Sequence, residues 1–212
     1  MRLSVLQWTI IGFFFLVLGG SMLHFTYAWF RHFPIVGIFS AVNESVWEHL
    51  KLGFWALFFF SLIEFWFVRD AVRMYFLAKA AGIVAMQVVI VFFFYSYTAI
   101  LKRNILFVDI SLFVIGSLVC QVLCYKILTS RAGKGMANIL GIAILILNGL
   151  AFIIFTFLPP RLPLFRDSAT GGYGTARRSS LGTSERDSCT LSPEQDEKKP
   201  GRRYAAKMNF PH

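Results

Sequence analysis

The chain has 212 residues, is 57% hydrophobic and 17% aromatic, and carries 15% charged residues with a formal net charge of +10. A soluble domain has about a quarter of its residues charged, so this composition excludes an ordinary soluble globular protein and points to the membrane class. Nucleic-acid binding is excluded too. The segment from Pro159 onward holds ten Lys/Arg against six Asp/Glu, and the remaining excess is scattered at the edges of apolar runs, where topology and lipid head groups call for it.

A span needs about 20 apolar residues, and the first such run covers roughly 3–23. Arg2, the apolar core and the GGS at 19–21 suggest a signal peptide, but the run is long and no A-x-A-like site follows it. It reads as an uncleaved first span. Next comes HFTYAWFRHFPIVGIFSA, residues 24–41, aromatic but interrupted by Arg31, His32 and Pro34. Amphipathic rings collect at the head-group level, so a short interfacial helix or re-entrant turn is expected there.

The string VNESVWEHLK, residues 42–51, opens the second span, expected over 50–68. His24, His32 and His49 all fall within residues 24–49, as do Glu44 and Glu48, two of the five acids that precede the tail. On a helix Glu44 and Glu48 share a face, with Lys51 one turn on, and Ser45 and His49 form a second pair about 100° round. A carboxylate–imidazole set can bind a divalent metal or poise a general base. His24, Glu44, Glu48 and His49 are therefore the candidate catalytic residues, and a divalent metal is the cofactor they suggest. Helix capping accounts for part of the same string. Asn43 can cap the helix with Glu44 in the first turn, or Ser45 and Glu48 can form a capping box. Trp47 suits an interfacial anchor, and Lys51 can pair with Glu48 or reach lipid phosphates.

Glu64 lies near the far end of the second span, where it can reach the interface beside Arg69 or serve an ion relay. The third span, 75–100, contains VVIVFFFYSYTAI. Its β-branched residues would suit a strand in water, but an open strand cannot satisfy its backbone in lipid, so a helix is expected. The fourth, 105–125, carries Cys120 and Cys124 on one face with no histidine nearby, and both read as ordinary thiols. The fifth covers 137–158 and stops at Pro159–Pro160. Asp109, Gln87, Gln121, Asn138 and Asn148 suit hydrogen bonds between helices. The short connections make neighbouring spans antiparallel.

These elements define an all-α polytopic membrane bundle over residues 1–166. A polar, basic tail follows over 167–212, and it buries too little to offset its ordering entropy. Counting basic residues across the loops, Lys51 and Lys79 among them, favours a cytoplasmic N-terminus in a multi-pass protein of the plasma membrane, and adding Arg161, Arg166, Arg177 and Arg178 reverses that count.

HFTYAW at 24–29, FSAVNESVWEHLKLGFW at 39–55 and PLFRDSATGGYG at 163–174 resemble an uncharacterised family of prokaryotic integral membrane proteins, domain of unknown function 6512. The likeness extends over about residues 5–174 and implies a membrane architecture without an assigned activity. A fainter likeness links NESVWEH to a string of the alkaline ceramidase and progestin/adipoQ-receptor superfamily, seven-span zinc hydrolases. This chain has five spans and no late His-x-x-x-His pair, so no zinc ligands carry over.

Three functions fit the sequence, which leaves open whether the chain is an enzyme. The first reading is a non-enzymatic membrane component or partner subunit, docking through residues 24–49 and 163–174, and the other two are its alternatives. The chain can instead be an interfacial lipid-directed hydrolase using His24, Glu44, Glu48 and His49, or a small transporter coupled through Glu64. The lipid bilayer is the partner common to all three.

Overall fold

The computed structural model describes residues 4–130 and 135–175. From residue 176 on, the tail expected to be disordered, Cys189 included, lies outside the described residues.

Five long helices form the body: α1 (Val5–Trp29), α3 (Val46–Val68), α4 (Tyr75–Leu101), α5 (Leu106–Leu128) and α6 (Gly135–Phe157). A single turn, α2 (Pro34–Gly37), lies between α1 and α3, and a 3-10 turn spans Pro163–Phe165. All five long helices are long and apolar enough to cross a bilayer. No strand occurs among the described residues beyond one isolated bridge, Arg166 to Tyr173. The fold is all-helical, as hydropathy and the backbone's need for internal hydrogen bonds require.

The first helix runs further than expected. HFTYAW is its last turns rather than part of an interfacial loop, and α1 ends where Arg31 and His32 take positive φ (52° and 63°). Likewise α3 begins four residues earlier than the expected 50–68 span. Ser45, not Asn43, is its N-cap, accepting from Glu48 N at 3.4 Å, while Asn43 Oδ1 accepts from Ser45 N at 2.9 Å. The first turn of α4 is capped from another helix. Asn138 of α6 accepts from Phe76 N at 3.1 Å and donates to Arg73 O at 2.6 Å.

α1 packs on α3 and α5, and α4 packs on α3, α5 and α6. α3 is the most enclosed helix. Small residues allow the close approaches. A Cβ at Gly141 of α6 would collide with the backbone of Leu77 in α4. Gly82 leaves room for Cys120 and Cys124, whose thiols are buried and free, with Cys124 Sγ donating to Ala78 O at 3.2 Å. The cysteines fill space here, the usual use of a buried thiol. Gln87 and Asn148 exchange reciprocal amide hydrogen bonds at 3.0 and 3.1 Å, tying α4 to α6.

Two lysines placed among loop charges by sequence are internal. Lys51 is 0% and Lys79 1% exposed. Glu64 does not reach the interface beside Arg69. It is fully buried in an ion pair with Lys79, and Tyr75 donates to it at 3.0 Å. Charges at membrane depth face a bundle's interior and pair with one another because lipid solvates neither.

Candidate metal centre at one end of the bundle

The alternating chain direction gathers five helix ends at one end of the bundle: the C-terminal ends of α1, α4 and α6 and the N-terminal ends of α3 and α5. His24 lies a turn before the end of α1, and His49 lies in the first turn of α3. Glu44 precedes the Ser45 cap, so it is held by loop geometry rather than by the helix face it was expected to share with Glu48.

The loop is held from the far end of the chain. Ser168 Oγ donates to Glu44 O at 2.8 Å, and Glu44 N donates to Asp167 Oδ1 at 3.3 Å. Asn43 Nδ2 donates to Gly174 O at 3.1 Å. Asp167 also accepts from Ala169 N at 3.0 Å and from the Thr170 hydroxyl, closing its own turn. Trp47 adds an aromatic clasp. Its ring lies 4.6 Å from that of Phe152 in α6 and 4.7 Å from that of Phe165 in the 3-10 turn. It is thus a packing residue joining α3 to the C-terminal segment, in place of the head-group anchor expected. The three segments that carry the family resemblance therefore meet at one place.

Of the four residues expected to act together, three converge. His24 Nε2 is 3.5 Å from Glu44 Oε1, and His49 Nε2 is 3.7 Å from Glu44 Oε2. The two imidazole rings lie 5.3 Å apart between centroids, inclined at 34°. One ligand atom from each of the three residues lies within 4.8 Å of the others. His49 Nδ1 sits 2.8 Å from Ser45 O. A carbonyl can only accept, so Nδ1 is the donor in this bond, which leaves Nε2 directed at Glu44. His24 Nδ1 is buried without a hydrogen-bond partner.

Glu48 is elsewhere. It points into the bundle, where its Oε2 meets Lys51 Nζ at 2.5 Å and accepts from Val42 N at 3.0 Å. Lys51 also donates to Gly37 O at 2.7 Å and to Thr156 Oγ1 at 2.9 Å. The pair links the α2 loop, α3 and α6. It is structural in its contacts and does not face the cleft.

That cleft, about 360 Å³, is lined by Glu44, His49, Asn104, Asp109, Ser168 and apolar residues of α4 and α5. Asp109, in the first turn of α5, accepts from the Tyr97 hydroxyl, which itself accepts from Ile105 N at 3.3 Å. The sequence alone suggests only an interhelical hydrogen bond for Asp109, and for Ser168 only a place in the 163–174 docking segment. Antiparallel counting brings the start of α5 to the same end as the start of α3, and that signal was present in the sequence.

Two imidazoles and a carboxylate form a donor set for zinc or a similar divalent ion, with ligand distances of about 2.0–2.2 Å. Tetrahedral bonds of that length place ligand atoms about 3.4 Å apart. The 3.5 and 3.7 Å separations run to the two different oxygens of Glu44, and one donor atom from each residue lies within 4.8 Å of the others, so the side chains would close in to hold an ion.

No curated protein and no solved structure matches the chain. A family model does match, over residues 2–175. The chain belongs to DUF6512, a family of unknown function.

Proposed function

We propose that the protein is a metal-dependent hydrolase of the bilayer surface, its centre formed by His24, Glu44 and His49. The observation that supports this reading is the convergence of these three donors beside an open cleft. Three protein ligands with one open position form the arrangement of catalytic rather than structural zinc. The ion would lower the pKa of bound water and polarise the carbonyl under attack. Asp109, across the cleft, would take a proton from that water as its oxygen bonds to the carbonyl carbon. It would return the proton to the leaving oxygen as the old ester bond breaks. The exposed rings of Phe25, Trp29 and Phe33 surround this end of the bundle and suit a substrate presented by the bilayer at head-group level.

The partner-subunit reading has less to draw on. Its two docking segments, 24–49 and 163–174, hydrogen-bond to each other. The transporter reading needs a polar track from Glu64, but Glu64 is engaged by Lys79 and Tyr75, while Gln87 is engaged by Asn148.

The test is turnover of a panel of fluorogenic acyl esters and phospholipids by the protein in nanodiscs. Hydrolysis that a chelator removes, zinc restores and His49→Gln lacks is the expected result. Zinc-loaded, folded protein that turns over no member of the panel counts against the enzyme.

A further inference from the structure

The cleft beside the candidate metal centre changes character with depth. Its polar lining, Glu44, His49, Asn104, Asp109 and Ser168, comes from loops and first helical turns at the end of the bundle. Its apolar lining includes Ile90 and Phe94 of α4 and Leu112 and Phe113 of α5, further into the bundle. Exposure falls in step. Leu106, at the start of α5, is 73% exposed, while Leu112 and Ile90 are 8% and 6% exposed. One end of the cleft is therefore open and polar, and the other is closed and apolar.

Close approaches to glycine show what closes it. The Phe113 ring fills the space where a Cβ at Gly20 of α1 would stand, and it also lies against Gly53 of α3, so it forms the back wall. Beneath it, a Cβ at Gly116 of α5 would lie 3.1 Å from side-chain atoms of both Ile90 and Met86, so α4 and α5 meet tightly there. Ile90 stands above this contact as the floor. It lies seven residues before Tyr97, whose hydroxyl donates to Asp109. Seven residues rise about 10 Å, and an extended chain spans that distance with about eight carbons, at roughly 1.2 Å per bond.

We propose that the cleft receives the acyl chain of an ester of medium chain length, about eight carbons, and that Ile90 sets that length. Resting on the hydrolase reading, in which water cleaves the ester into acid and alcohol, the orientation follows from the two ends of the cleft. The polar mouth takes the ester group and its alcohol, and the apolar end takes the hydrocarbon on the acyl side. A longer chain meets Ile90 before its carbonyl has reached Glu44 and the two histidines.

The test reads chain length with the zinc-loaded full chain in nanodiscs. Across p-nitrophenyl esters from butanoate to hexadecanoate, kcat/KM should peak near octanoate and fall about tenfold or more by hexadecanoate. Ile90→Ala deepens the floor and should move the peak to longer chains, while Ile90→Phe raises it and should move the peak to shorter ones. A profile that keeps rising to hexadecanoate, or that neither variant moves, overturns the chain site and leaves the hydrolase standing. Binding separates the converse case. Dansyl octylamide, titrated into metal-free protein in nanodiscs against empty nanodiscs, should bind saturably, and Ile90→Phe should weaken it about tenfold. Such binding without turnover of any ester supports the chain site and counts against the hydrolase alone. Absence of saturable binding overturns the chain site. Should Ile90→Phe fail to fold, Ile90→Ala decides, because it should tighten dansyl hexadecylamide relative to the octylamide, and an unchanged ratio overturns Ile90 as the floor.

Discussion

Ser168 Oγ donates to Glu44 O at 2.8 Å across 124 residues of sequence, fixing the loop that presents the Glu44 carboxylate to two histidines. The C-terminal segment supports the candidate metal centre through this bond. Ser168→Ala should cost about 1 kcal/mol of stability and weaken zinc binding about tenfold, as loss of a supporting hydrogen bond does. A zinc titration with a competing dye, run beside a thermal melt, checks both. Unchanged zinc affinity would mean that Glu44 holds its place without Ser168.

The two glutamates of the NESVWEH string should separate in experiment. Glu48→Gln leaves Lys51 without its counter-charge at 0% exposure, and breaking a buried pair in this way costs about 3–5 kcal/mol. Glu44→Gln alters a half-exposed side chain and should shift stability by no more than about 0.5 kcal/mol while abolishing the metal site. Unfolding of both variants in mixed detergent micelles measures the contrast. Equal losses from the two would show that Glu44 is as structural as Glu48.

Asp109 should matter to rate and not to metal content. Asp109→Asn retains the hydrogen-bonding shape toward Tyr97 and removes the base, so the variant should bind zinc normally and turn over about 10²–10⁴-fold more slowly. Single-turnover kinetics with a responsive substrate, alongside metal analysis, separate the two effects. A fall in zinc content would instead make Asp109 a ligand.

How far the sequence led can be followed residue by residue. The five spans were legible because a lipid-embedded backbone must form helices and each run is long enough. Their ends were less so. Lys51 and Lys79 look like loop charges in sequence but lie inside α3 and α4, neutralised by Glu48 and Glu64. The concentration of histidine and glutamate within residues 24–49 pointed to the candidate site, but helical spacing placed Glu44 and Glu48 on one face. The cap at Ser45 separates them, because the chain has not yet entered the helix at Glu44. Asp109 joins the site through the antiparallel order of the helices, which counting along the chain reveals, and Ser168 through tertiary packing, which no local period encodes.

The most direct test of the central claim is metal content. The full chain, purified in detergent from zinc-supplied cells and dialysed, should carry about one divalent ion per chain by plasma mass spectrometry, and His49→Gln and Glu44→Gln should carry almost none while remaining folded. Wild-type protein that holds no stoichiometric ion after zinc loading, or a His49→Gln variant that keeps its ion, would contradict a His24–Glu44–His49 metal centre.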